Sequence, residues 1–551
     1  MKRDIVPDSI PGADFTITEG SLTAGVEGVP LASSAVGVVQ EPVSADDSAP
    51  DPALHDLKKK TARGALISAL GQGASLFFRT GSMVVMARLL VPEDFGLVGM
   101  ITACTGFLGL FRDAGLSMAT VQRASITRAQ TSMLFWINLA VGGLLAVLSA
   151  AIAPILVRFY HEPRLLWATI VLGISFVFNG AGAQHRAVLQ REMRFAVLAF
   201  IDIASILASI GVGVGIAIAG LGYWALVGMT LCVHAVSFLG VWIAGAWVPD
   251  PPRRGAGVWS MLTYGGTVTL NSVIVYIAYN TDKVLLGRFW GAATLGIYGR
   301  AYQLISLPTE NLNTTIGQVA FPALSRLQND PQRLRNYFLK GYGLFLSLVM
   351  PITLGCGLFA EDIIRVFLGA KWDAAVPVFR LLAPTIFTFA LINPLAWLLL
   401  ATGRAKRSLM ISLVIAPVVM LSYAAGLSFG PNGVASGFSI GTMLLAVPVI
   451  IWATRGTAIT AVDTLKEIMR PFFSIAIGAG AALAAWGFTH LIASPLLRLI
   501  AANSILFGVY AIVLLFVMGQ KGIYLGLLRE IGVWPFANRR RLEGSLKTAD
   551  A

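Results

Sequence analysis

Ser68, Gln72, Ser75 and Arg79 follow one another at intervals of four, three and four residues inside an otherwise apolar stretch. On a helix that spacing puts all four side chains on one face, with Arg79 near the middle of the stretch. Tyr264, Asn271 and Asp282, seven and eleven residues apart, point the same way along a second helix, two and three turns on. On a third, Arg300, Gln303, Glu310, Thr314 and Gln318 make a broader polar face, and Pro308 is expected to bend the helix beside Glu310. Polar groups among apolar ones cost free energy unless they meet a partner or water, so three such stripes read as the wall of a wet cavity. The chemistry on offer is binding: a guanidinium that does not deprotonate for an anion, and carboxylates for a cation or proton.

Each of these residues also has a plainer reading. For a single Gln, Ser, Asn or Thr, a hydrogen bond between two helices is the simpler account. Arg79 fits that account poorly and reads as anion-facing, with a structural pair to a carboxylate as the alternative. Lys283 and Arg300 stand between a cavity role and snorkelling to the nearby helix ends. Asp202, Asp282 and Glu310 stay open between counter-charges for Arg79 and ion-coupling groups. Arg112 and Asp113 read as boundary residues, and His234 as a satisfied interhelical group.

The elements that must carry these stripes are apolar segments of roughly 20 residues, fourteen of them between about Gly64 and Gly519. Hydrophobic residues make up 56% of the chain and charged residues 13%, with a mean hydropathy of +0.75, so its solvent is lipid. The formal charge of +13 is spread over many loops, which speaks against nucleic acid. Lys58–Lys60, Arg123 with Arg128, Arg191 with Arg194, Arg404 with Arg407, and Arg539–Arg541 all fall on one side of the alternation. That side is then cytoplasmic and holds both termini. Residues 1–57, rich in Asp, Glu, Ser, Pro and Gly, read as a disordered acidic tail without a cleaved signal peptide, and 521–551 as a basic tail.

An internal repeat divides the chain. Arg88-x7-Gly96-x2-Gly99 recurs 200 residues later as Arg288-x7-Gly296-x2-Gly299. The expectation is an all-α membrane protein: an N-lobe over 58–250, a C-lobe over 251–456 and two further helices over 457–520. An even number of helices per lobe gives both copies the same orientation, hence a pseudo-two-fold axis along the membrane normal, as in carriers that rock about a central site.

Cys104, Cys232 and Cys356 have no metal-ligand spacing, so neither a disulfide framework nor a metal site is expected, and no cofactor is implied. There is no G-x-x-x-x-G-K-[ST] loop, G-x-S-x-G elbow or H-E-x-x-H pair, and no long loop to house catalysis, so the chain does not read as an enzyme. The runs Arg88-Leu-Leu-Val-Pro-Glu-Asp-Phe-Gly96, Arg112-Asp-Ala-Gly-Leu116, Asn280-Thr-Asp-Lys-Val-Leu-Leu-Gly-Arg288 and Phe321-Pro-Ala-Leu-Ser-Arg326 closely resemble the polysaccharide transport family. These Wzx-like flippases belong to the multidrug/oligosaccharidyl-lipid/polysaccharide exporter superfamily, and the resemblance covers roughly 60–520.

The resemblance implies translocation of an undecaprenyl-pyrophosphate-linked oligosaccharide across the bacterial inner membrane for exopolysaccharide, capsule or O-antigen synthesis. On that reading Arg79, with Arg300 and Lys283, meets the pyrophosphate, while Gln72, Ser75, Tyr264, Asn271, Tyr276 and Gln303 meet the sugar. The partners implied are the lipid-linked oligosaccharide and membrane lipid, with a polysaccharide polymerase and glycosyltransferases of the same pathway as further candidates. Two alternatives remain at this point. A drug or cation antiporter of the same superfamily would present carboxylates rather than Arg79 to its cavity. A membrane polymerase or ligase would need a larger outward loop than 360–374.

Overall fold

The computed structural model describes residues 52–112, 117, 120, 121, 126–252, 259–485, 487, 491–522 and 524, without the side chains of 52–69 and 259–272. The expected tails lie almost wholly outside these residues, although helix already begins at Pro52, inside the stretch read as disordered. Among the described residues there is no strand. The helices are α1 (Pro52–Leu89), α2 (Pro92–Gly109), α3 (Arg128–Tyr160), α4 (Leu165–Arg191), α5 (Phe195–Ile218) and α6 (Trp224–Gly245). A continuous stretch Trp259–Arg326 follows, divided by non-helical Gly291 (φ 80°) into α7 (259–290) and α8 (292–326). Then come α9 (Pro331–Leu358), α10 (Ala375–Ala401), α11 (Ala405–Gly426), α12 (Gly430–Thr454), α13 (Ala461–Ala484) and α14 (Pro495–Val517).

Local sequence sets several of these boundaries. Thr127 and Gln130 form a reciprocal capping box at the start of α3, and Pro92 and Pro331 occupy first turns where a missing N–H costs nothing. Gly291 supplies the left-handed backbone that lets α7 turn straight into α8. Pro308 leaves the helical dihedrals of α8 unbroken, so the break lies at Gly291 rather than beside Glu310.

Nine described stretches are long and apolar enough to cross a bilayer, the longest of them, Ala405–Thr454, doubling back at residues 427–429. The protein is a multi-pass membrane protein. Within the N-lobe α3 packs on α4, α5 on α6, and α1 on α5; within the C-lobe α11 packs on α12 and on the α7–α8 unit. Helices α13 and α14 pack on each other and against α9, around a small core of Met350, Ile475, Leu506 and Tyr510.

The lobes join where α2 crosses the α7–α8 unit. A Cβ on Gly96 would lie 1.7 Å from the carbonyl oxygen of Ala292, and one on Gly296 would lie 1.8 Å from that of Pro92. The 200-residue offset of the repeat carries Pro92 onto Ala292 and Gly96 onto Gly296, so it exchanges the two contacts. A contact exchanged in this way lies on a pseudo-two-fold axis, and here the absence of both side chains brings the backbones together.

Candidate functional site

The turns at Val91 and Gly291 place the same end of α1, α2, α7 and α8 together, and that end is sealed. Met83 and Met86 of α1, and Leu90 just past its end, are buried in the core that also holds Leu286, Tyr298 and Trp372. The indole N–H of Trp372 donates to the carbonyl of Ala87 (2.8 Å), and Arg88 donates to the carbonyl of Val366 (2.9 Å). The 360–374 segment therefore straps the end of α1 to the C-lobe. Asp362 on its short helix Ala360–Phe367 in turn accepts from Nε of Arg498 on α14 (2.7 Å).

Below this seal the expected residues separate. Arg79 is exposed and makes no ion pair among the described residues; Gln72 is exposed and Ser75 half-buried. Arg79, Met83 and Met86 step by four and three along α1, and Leu90 follows four residues on, just past its end, so this face passes from an exposed guanidinium into the buried core shared by both lobes. The side chains of Tyr264 and Asn271 lie outside the described residues.

Several expectations are corrected by the packing. Tyr276 is buried, and its hydroxyl donates to the carbonyls of Thr102 (3.0 Å) and Ala103 (3.1 Å), which makes it a tie between lobes rather than a sugar-stacking surface. Arg300 does not snorkel: its guanidinium sits 4.2 Å from the ring centroid of Phe95 on α2 and donates to Gln303. Both residues are thus occupied at the lobe junction. Asp282 is fully buried, accepts from the Tyr298 hydroxyl (2.8 Å), and does not line the C-lobe cavity that its neighbour Lys283 enters. Asp202 is a counter-charge, but to Arg186, which it meets with both carboxylate oxygens at 2.8 and 2.7 Å, and not to Arg79. His234 bonds within its own helix, Nδ1 lying 2.7 Å from the Thr230 carbonyl oxygen.

Lys283 and Glu310 come together in a cavity of about 290 Å³ walled by α7, α8, α10, α11 and α12. It lies inside the C-lobe, whereas the stripes implied one chamber between the lobes. Tyr279, Tyr302, Asn313 and Asn393 also line it, none of them singled out from the sequence. Lys283 donates to Oδ1 of Asn280 (2.7 Å) and lies 5.5 Å from the Tyr302 ring centroid. Tyr302, Ser306, Thr309 and Asn313 run at helical spacing along α8, a signal that would have located this wall. Cation, carboxylate, amides and phenols converge there without a nucleophile–base pair, an arrangement suited to holding a polar ligand. No group of three or more His, Cys, Asp or Glu suited to a metal occurs among the described residues.

Residues 85–377, over half of the chain, match the family described as polysaccharide biosynthesis protein. The chain belongs to that family. Among its relatives, an uncharacterized membrane protein in the cps region of Klebsiella pneumoniae is 28% identical over 70% of this chain and 80% of its own length. The lipopolysaccharide biosynthesis protein WzxC of Escherichia coli K12 is 26% identical over 69% and 78%. The fold of this family member is that of the lipid II flippase MurJ in an inward closed conformation, with a TM-score of 0.66 at 14% identity, covering 82% of this chain and 99% of the other.

Proposed function

We propose that the protein is a flippase that carries a lipid-linked oligosaccharide, with its pyrophosphate and polyprenyl tail, from the cytoplasmic to the outer leaflet of the bacterial inner membrane. The product feeds polysaccharide assembly. Family membership and the relative named for lipopolysaccharide biosynthesis support the substrate class, and the MurJ-like fold supports the carrier architecture. Lys/Arg asymmetry supports a cytoplasmic Arg404 end, an outward Val91 end and both termini inside. In this arrangement α1, α2, α7 and α8 complete fourteen crossings.

The observation that carries the reading is Arg79, without an ion pair among the described residues, on the α1 face that one turn further is buried in the core shared by both lobes. A cation held there with no carboxylate partner leaves its charge available to a pyrophosphate entering between the lobes. The sealed Val91 end forms one half of an alternating-access cycle, and rocking about the Gly96–Gly296 crossing gives the other. The C-lobe cavity, with Lys283 and Glu310, then receives polar parts of the head group, and the tail stays in lipid.

The test is Arg79→Ala in a strain lacking the native gene. Export of polymer falls to the level of the deletion while the protein remains in the membrane, and lipid-linked repeat units accumulate on the cytoplasmic leaflet. Normal polymer output from that variant would remove Arg79 from the substrate path.

A further inference from the structure

At the Arg404 end a second cavity, about 260 Å³, lies between α9, α13 and the end of α14, remote from the C-lobe cavity. Its polar wall is Asn336 and Lys340 of α9, Glu467 and Arg470 of α13, and Gln520 just beyond α14. Lys340 and Arg470 are exposed, and neither makes an ion pair among the described residues. Glu467 stands beside them because Gly343 leaves it room: a Cβ there would lie 2.8 Å from Oε2 of Glu467. The wall is held in register by the ion pair of Arg335 on α9 with Asp463 on α13 (2.9 Å). Outward of it, Met469, Phe472 and Phe473 of α13 and Phe516 of α14 are all at least half exposed, an apolar surface on the side of the bundle.

Two cations without an ion pair among the described residues and one carboxylate around a cavity, with exposed apolar side chains on the same helices, match a molecule that is a phosphodiester at one end and hydrocarbon at the other. We propose that this cavity seats the head group of a membrane glycerophospholipid. The phosphodiester lies between Lys340 and Arg470, Glu467 accepts a hydrogen bond from a donor on the head group, and the acyl chains run along Phe472 and Phe516. Head groups carrying an ammonium N–H or a hydroxyl therefore bind better than the quaternary choline, which has no donor. The site is independent of the transport reading, since none of its residues faces Arg79 or the C-lobe cavity.

The experiment uses the full chain, purified and delipidated, titrated with phosphatidylethanolamine, phosphatidylglycerol, phosphatidylcholine and inorganic phosphate, with retention read by native mass spectrometry. Phosphatidylethanolamine and phosphatidylglycerol are retained about tenfold better than phosphatidylcholine, and inorganic phosphate does not displace them. Lys340→Gln with Arg470→Gln weakens phosphatidylethanolamine retention about tenfold or more, at roughly one kcal/mol per cation lost. Lys340→Arg keeps retention, and Glu467→Leu erases the preference over phosphatidylcholine. Unchanged retention in the double variant, equal retention of all three lipids, or displacement by inorganic phosphate would each overturn the proposal. Should the double variant not fold, Lys340→Gln alone is titrated in its place, and unchanged retention there overturns the proposal equally.

Discussion

Asp282 shows what the interior of the C-lobe demands of a single residue. One carboxylate oxygen accepts from Tyr298, the other has no partner among the described residues, and the hydroxyl of nearby Tyr423 is likewise unmatched. A buried carboxyl that loses its donor bears the full cost of desolvation, whereas removing both partners together can be nearly neutral. Tyr298→Phe is therefore expected to lower stability by about 1–3 kcal/mol, and adding Asp282→Leu to recover most of that loss, both read from thermal unfolding in detergent. A double variant less stable than Tyr298→Phe would show that the carboxyl has some other partner. Residue types and helical spacing made these polar positions legible in the sequence. What spacing does not carry is the opposite wall. Tyr276 and Arg300 sit on polar faces, but those faces meet α2, where the carbonyls of Thr102 and Ala103 and the ring of Phe95 receive them.

Elements were more readable than single side chains, because apolar length is a local property, although α1 begins at Pro52, well before the apolar stretch that marks it in the sequence. The repeat glycines were legible as a pattern, and their role comes from the third dimension. Gly96→Ala drives a methyl into the Ala292 carbonyl, and Gly296→Ala drives one into that of Pro92. Backbone cannot yield as a flexible side chain does, so each substitution is expected to cost about 3 kcal/mol and to push the lobes apart at the Val91 end. Gly99→Ala, on the same helix but in ordinary contact with Leu295, is the control and leaves expression and melting temperature unchanged. The strap over 360–374 depends on charge instead. Arg365 bonds to both carboxylate oxygens of Asp373 (3.1 and 3.0 Å) and holds that carboxyl below the usual carboxylate range. A group depressed in the folded state stabilises above its ordinary pKa and loses that contribution as pH falls through the lowered value. The strap is then steady at neutral pH and loosens below about pH 4, an effect kept small by exposure. Amide exchange over 360–374, corrected for intrinsic rates, would measure it.

For the whole molecule, the decisive relation is between two lobes that touch closely at one end and a cation, Arg79, that stands exposed without an ion pair among the described residues. The sequence foretold two lobes with parallel symmetry, and the exchanged contacts Pro92–Gly296 and Gly96–Ala292 have that symmetry. It did not foretell that the lobes would meet backbone to backbone, since close approach comes from side chains that are absent on both partners. Polar groups of the expected stripes line a C-lobe cavity, while Arg79 stands on an exposed α1 face of the N-lobe. If transport requires the Val91 end to open, a covalent bond across it must stop transport without unfolding the protein. Arg88 already reaches the Val366 carbonyl with a side chain longer than that of cysteine, so cysteines at these two positions are joined by a bis-methanethiosulfonate reagent about as long as an arginine side chain, in a background where Cys104, Cys232 and Cys356 are serine. Cross-linking should abolish polymer export, reductant should restore it, and either single cysteine should be insensitive to both. Continued export from the cross-linked pair, with the bridge verified by mass spectrometry, would mean that the strap travels with α1 and that opening occurs at the Gly96–Gly296 crossing alone.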